Sequence, residues 1–176
     1  MKSNLFLLLI LIAFTSTAQE SNAGKYPEPE FTNQPYWLDP ASNSLKSFEK
    51  AGLQSYSKGK GMYGGEVYFY INNISSKVRF KANQTLRFVI KMEPGEDPSD
   101  LLGVYQLEVN KGKKAREFLV KSRSSWDGGV TTNSQGLSIV NYKKISQDLY
   151  EIVVDAQPAG EYSFGTAKNF FAYGLD

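Results

Sequence analysis

Residues 150–164 read Tyr150, Glu151, Ile152, Val153, Val154, Asp155, Ala156, Gln157, Pro158, Ala159, Gly160, Glu161, Tyr162, Ser163, Phe164. Tyr150, Ile152 and Val154 recur at every second position, the period of an extended chain whose successive side chains point to opposite faces. Asp155 to Gly160, carrying Pro158 and Gly160, turns the chain, and Tyr162 and Phe164 open a second strand on the same period. A tyrosine just after such a turn, with its hydroxyl bonded back to upstream backbone, is the tyrosine corner of immunoglobulin-like and fibronectin-like sandwiches. Tyr162 is therefore read as a structural residue at that corner.

The same period spreads outward from this stretch. Val67, Phe69 and Ile71 alternate with Glu66, Tyr68 and Tyr70; Val78 and Phe80 with Lys77, Arg79 and Lys81; Leu86, Phe88, Ile90 and Met92 with Arg87, Val89 and Lys91; Tyr105, Leu107 and Val109 with Gln106 and Glu108. Turn residues separate the runs: Asp39 to Asn43 between Tyr36–Leu38 and Leu45–Phe48, Asn72 and Asn73 with the serines after Ile74, and Asn110, Lys111 and Gly112. One helical segment is predicted, Asp97 to Leu102, with Asp97 as cap and Pro98 in the first turn. The expected fold is all-β, an antiparallel β-sandwich of immunoglobulin or fibronectin type with short hairpins and at most one short helix.

The amino terminus is organised for export. Lys2 precedes an unbroken apolar run from Leu5 to Phe14, and Ser16 and Ala18 are the small residues that a signal peptidase requires, so cleavage is expected after Ala18. The run is about half of the ~20 residues that span hydrocarbon, which argues against an anchor, and no transmembrane segment is expected in the mature chain. Residues 19–30, with Ser21, Asn22, Gly24, Pro27 and Pro29, read as a loose leader; residues 31–176 read as one domain. Periplasmic or extracellular residence follows.

Composition narrows the chemistry. The 176-residue chain has no cysteine and no histidine, so disulfides, thiolate metal sites, cysteine nucleophiles and imidazole bases are excluded. A formal charge of +2, which falls to +1 without the signal, gives no argument for nucleic acid. Aromatic residues, at 14%, supply the large apolar surfaces that a disulfide-free core needs.

Two stretches carry a resemblance. Glu28, Pro29, Glu30, Phe31, Thr32 and Asn33 with Tyr36, Leu38 and Asp39, and Gly160, Glu161, Tyr162, Ser163 and Phe164 with Phe171, Gly174, Leu175 and Asp176, resemble an uncharacterised family of exported all-β proteins from Bacteroidetes. The resemblance implies a bacterial origin and an exported compartment, and adds no catalytic residue.

Several motifs have a structural reading beside the chemical one. Gly59, Gly61 and Gly64 have dinucleotide-loop spacing, but the residues that follow alternate as a strand where that chemistry needs a helix, so a hairpin loop is expected. Ser47 with Lys50 and Ser55 with Lys58 match S-x-x-K without the K-T-G partner motif of penicillin-recognising enzymes. Glu93, Glu96, Asp97 and Asp100 crowd one loop, read first as a solvated turn, then as a cation site, then as a carboxylate pair for glycoside hydrolysis. Lys111, Lys113, Lys114, Arg116, Lys121 and Arg123 gather on one hairpin, a pattern that keeps a sheet edge soluble, with an anionic glycan or lipid headgroup as the functional alternative.

Trp126 sits in Ser124, Ser125, Trp126, Asp127, Gly128, Gly129. Two arrangements fit it: a plug for the end of the sandwich, or, with the Asp127 carboxylate beside it, an exposed platform for a sugar ring or a partner's side chain. Trp126 and Asp127 are the binding residues expected from sequence. The functional expectation is an exported, non-catalytic β-sandwich without cofactor or metal that binds an envelope or extracellular protein or glycan. A carboxylate-dependent hydrolase and a purely structural envelope component are the alternatives.

Overall fold

The structure, a computed structural model, describes residues 26–61, 64–124, 129–132, 140–166 and 169–176. The proposed signal peptide lies outside these residues. In chain order the elements begin with β1 (Pro35–Asp39), β2 (Ser44–Ser47), β3 (Glu49–Gly52), β4 (Gln54–Lys60) and β5 (Gly64–Asn72). They continue with β6 (Arg79–Phe80), β7 (Leu86–Lys91), the single turn α1 (Pro98–Leu101), β8 (Gly103–Asn110) and β9 (Ala115–Arg123). Last come β10 (Val130–Thr132), β11 (Val140–Lys144), β12 (Leu149–Val154), β13 (Gly160–Gly165) and β14 (Asn169–Leu175). The helix begins as its residues dictate: Asp97 accepts from the Ser99 amide at 2.8 Å, and Pro98 fills the first turn, where its missing N–H costs nothing.

The strands form two sheets. A five-stranded sheet runs β11-β12-β7-β1-β2, and a nine-stranded one runs β3-β14-β13-β8-β9-β5-β4, with β10 on β9 and β6 on β14. All ladders are antiparallel except β6 on β14, which is parallel. The run around Val78 and Phe80 gives only a two-residue strand, in which Arg79 pairs with Gly174 while its side chain reaches the carboxylates of Glu161 and Asp176.

Between the sheets lies the main core. Leu86, Phe88, Ile90 and Met92 from β7 and its exit, and Ile152 and Val154 from β12, meet Val104, Tyr162, Phe164, Phe171, Tyr173 and Leu175. Phe88 and Phe164 cross edge to face with centroids 5.0 Å apart. Phe48 stands between β2 and β3, so one residue carries the chain from one sheet to the other, and its ring lies within 5.3–6.2 Å of Phe80, Phe88, Phe164 and Tyr173. Where β12 turns into β13, the Tyr162 hydroxyl donates to the Pro158 carbonyl at 3.0 Å, and the side chain is buried.

The second sheet does more than cover the first. It curls into a half-barrel, an arrangement that simple alternation does not announce. Its edge strands β3 and β4 are separated in sequence by Leu53 alone, so the chain itself ties the two edges together. Inside the curl, Ile71, Leu107, Phe118, Phe170 and Ala172 form a second core, with Ala51, Leu53, Phe69, Tyr105 and Val120 packed on it. Strand β14 serves both cores, Phe171, Tyr173 and Leu175 on one face and Phe170 and Ala172 on the other.

Charge is buried at one end of the curl. Arg116 is fully buried and gives Nη2 to Glu49 at 2.7 Å and Nη1 to Glu161 at 3.2 Å, while Arg79 also pairs with Glu161. On the outer face of the first sheet, Glu151 is buried beneath residues preceding β1: the Tyr26 hydroxyl donates to it at 3.3 Å, Arg87 Nε lies 2.9 Å away, and Glu28 pairs with Lys91.

Candidate functional site

One face of the second sheet changes character along its width. Under the first sheet, at β14 and β13, it carries Tyr173 and Tyr162 of the main core. The cross-strand register continues that face through Glu108 and Glu117 to Tyr70 and Gln54, and through Leu119 to Tyr68 and Tyr56. There the covering sheet has ended. The result is a half-exposed face of three tyrosines and two buried carboxylates, Glu66 and Glu117, on β4, β5 and β9. A register shift between Val67 and Tyr68 twists β5 at this place.

Tyr56 and Tyr68 stack directly across the strands, centroids 5.1 Å apart and planes 10° apart, and Tyr70 tilts against Tyr56 at 5.8 Å. Each stacked phenol is pinned at its tip: Tyr56 donates to Glu117 Oε2 at 2.8 Å and Tyr68 to Glu66 Oε2 at 3.0 Å. Asn110 donates to the second oxygen of Glu117 at 2.9 Å, and Lys60 pairs with Glu66 at 2.5 Å. The Lys113 ammonium lies over the Tyr56 ring, 3.1 Å from its centroid, and 3.9 Å from Glu117. Rings held this way lose little further freedom when a ligand lies on them.

Electrostatics keep the phenols neutral. Burial, then the hydrogen bond to Glu117, pushes the Tyr56 hydroxyl up to about 12, and burial with the bond to Glu66 does the same for Tyr68. Glu66 is held below the usual carboxylate range, chiefly by Lys60. That direction opposes the raised value a general acid needs at neutral pH. The face offers aromatic surface, anionic acceptors and one ammonium, the complement of a polyhydroxylated ring.

The residues singled out from sequence fall in different places. Trp126 and Asp127 lie outside the described residues. The basic hairpin divides: Lys113 joins the tyrosine face, Arg116 is buried among carboxylates, and Lys111 and Lys114 lie elsewhere on the turn. The sequence pattern places Arg116 in a row of edge cations, but directly opposite Ile71 it points into the curl. Gly59 and Gly61 with Gly64 border the β4–β5 hairpin, where Gly61 has a φ of 65°. Ser55 and Lys58 are three apart on an unbroken strand and therefore point to opposite faces. In the acidic loop, Glu93 accepts from Thr32 at 2.5 Å, Glu96 from Asn33 at 2.8 Å, and Asp97 caps the helix. Among the described residues, no three acidic side chains converge to hold a metal ion.

Tyr56 and Glu117 were not among the residues the sequence reading singled out. Their signal was present, because Tyr68 and Tyr70 sit two apart on the polar side of an alternating strand, where large aromatics need a reason. No protein-family model matches the chain, and no curated protein matches it.

Proposed function

We propose that this is an exported, non-catalytic β-sandwich protein that binds a glycan through the face built by Tyr56, Tyr68 and Tyr70. The observation that carries the reading is the stacked Tyr56–Tyr68 pair with both hydroxyls pinned by carboxylates. Stacking places apolar ring area against the C–H face of a sugar, and Glu66 and Glu117 accept from its hydroxyls at the margin. A protein partner would use the same face through its side chains and is the competing occupant.

The sandwich itself is read as immunoglobulin-like. The order β11-β12-β7-β1 facing β9-β8-β13-β14 corresponds to strands D, E, B, A against C′, C, F, G. Tyr162 stands at the E–F corner with its hydroxyl on Pro158, and two residues later Phe164 occupies the place of the inter-sheet cysteine, meeting Phe88 of the B strand. In this reading β2 to β6 are an insertion between strands A and B, and that insertion supplies two of the three tyrosine-face strands.

Affinity electrophoresis of the mature protein in gels containing individual cell-wall and extracellular polysaccharides tests the binding role. Retardation by at least one glycan is expected, and it should be lost in the double variant Tyr56→Ala, Tyr68→Ala while the thermal transition persists. A panel with no retardation, together with capture of a protein partner that the double variant loses, would replace the glycan by a protein.

A further inference from the structure

A second surface lies on the opposite side of the β8–β9 turn. The ends of β5, β8 and β9 meet there, because Ile71 and Val109 both pair with Arg116. The loop after β5 and the turn 111–114 enclose an open depression of about 660 Å³ lined by Lys77, Lys111, Lys114, Glu49, Ile74 and Ser75 among others. Three lysines thus line one space from two different loops.

Their charge is not spent inside the protein. Among the described residues Lys77, Lys111 and Lys114 have no carboxylate partner; Lys50, Lys58, Lys81, Lys121, Arg123, Lys143 and Lys144 have none either, and what sets the first three apart is that they line one depression. The one carboxylate of the depression, Glu49, is already neutralised by Arg116 at 2.7 Å. The same guanidinium donates to the carbonyls of Asn73 at 3.1 Å and Asn72 at 3.3 Å, so it also fixes the loop that presents Lys77.

An independent observation concerns the backbone. Among the described residues five non-glycines have positive φ; four are asparagines, which tolerate that region, and the fifth is Lys114 at 53°. Glycine would sit there without strain. A lysine held in this conformation, on a depression that two other lysines also line, marks a position where a charged residue stands at the expense of local comfort.

We propose that this depression binds a phosphate monoester carried on a sugar. Three lysines match the nearly two negative charges of such a group, which ammonium donors recognise as point charges. Ile74, 46% exposed at the rim, gives the carbon skeleton an apolar contact, and Ser75 and Glu49 meet hydroxyls. The site is separate from the tyrosine face, and the phosphosugar is either soluble or the headgroup of a lipid.

Isothermal titration of the mature protein with glucose 6-phosphate, glucose and inorganic phosphate tests it, alongside flotation with phosphatidylcholine vesicles with and without lipid A. Binding of glucose 6-phosphate, or of lipid A vesicles alone, is expected to weaken as salt rises. It should fall at least tenfold in the triple variant Lys77→Ala, Lys111→Ala, Lys114→Ala and remain unchanged in Tyr56→Ala. Lys114→Gly should weaken binding while raising the melting temperature, a combination that loss of folding cannot produce. Failure of every phosphorylated probe to bind, or undiminished binding by the triple variant, overturns the site.

Discussion

Arg116 has no exposed surface and two carboxylate partners, Glu49 and Glu161. Removing one member of a buried ion pair leaves the others desolvated without compensation, so Arg116→Ala should destabilise by about 3 to 5 kcal/mol in denaturant titrations. The Tyr162 hydroxyl is a smaller case: it has one partner, the Pro158 carbonyl at 3.0 Å, and Tyr162→Phe keeps the ring. The expected loss is about 1 kcal/mol, and an unchanged denaturation midpoint would show that the carbonyl finds another donor. The turn, the corner tyrosine and the alternating core positions Phe88, Ile90, Ile152 and Phe164 are legible one residue at a time, because each depends only on its neighbours in sequence. Glu161 and Arg116 are not, because their burial depends on partners 45 residues apart that only the curled sheet brings together.

At the scale of the strand pair β4 and β5, two phenols ionise late. Tyrosine loses its proton near 10 in the unfolded chain, while Tyr56 and Tyr68 hold theirs to about 12 when folded. Their contribution to stability is therefore complete below pH 10 and disappears as pH rises towards 12, since the folded state binds more protons in that window. The denaturant midpoint should fall across this range, and Tyr56→Phe with Tyr68→Phe should flatten the fall. Gly174 makes a complementary point on β14: a Cβ there would overlap the Arg79 guanidinium, so Gly174→Ala should expel Arg79 from Glu161 and cut stability at neutral pH. Alternation separated Val67, Phe69 and Ile71 from Glu66, Tyr68 and Tyr70 correctly, yet the polar side of β5 holds a buried glutamate and stacked rings. A period of two says which residues share a face; it says nothing of what lies over that face.

The whole molecule consists of two antiparallel sheets, one of them curled into a half-barrel, and its cores have no covalent tie. Where an inter-sheet disulfide would sit in the immunoglobulin reading, Phe88 meets Phe164 at 5.0 Å, so Phe88→Ala should cost about 3 to 5 kcal/mol and weaken both sheets together. The all-β antiparallel fold was legible from strand alternation and spacing; the half-barrel was not, because edge closure through Leu53 is a property of strand order, and strand order is invisible to local periodicity. Intact mass of protein recovered from the envelope or medium should correspond to a chain beginning at Gln19, and retention of Met1 would overturn the export proposal. Strand order has one more consequence, for the timing of folding. The fourteenth strand to be synthesised lies between β3 and β13 and is buried on both faces, so neither core closes until residues 169–175 have arrived. A polypeptide threaded from its amino terminus through a narrow translocation pore must stay unfolded until most of it has passed. Here the keystone comes last, so under the export proposal the nascent chain would be kept open for transit by its own topology.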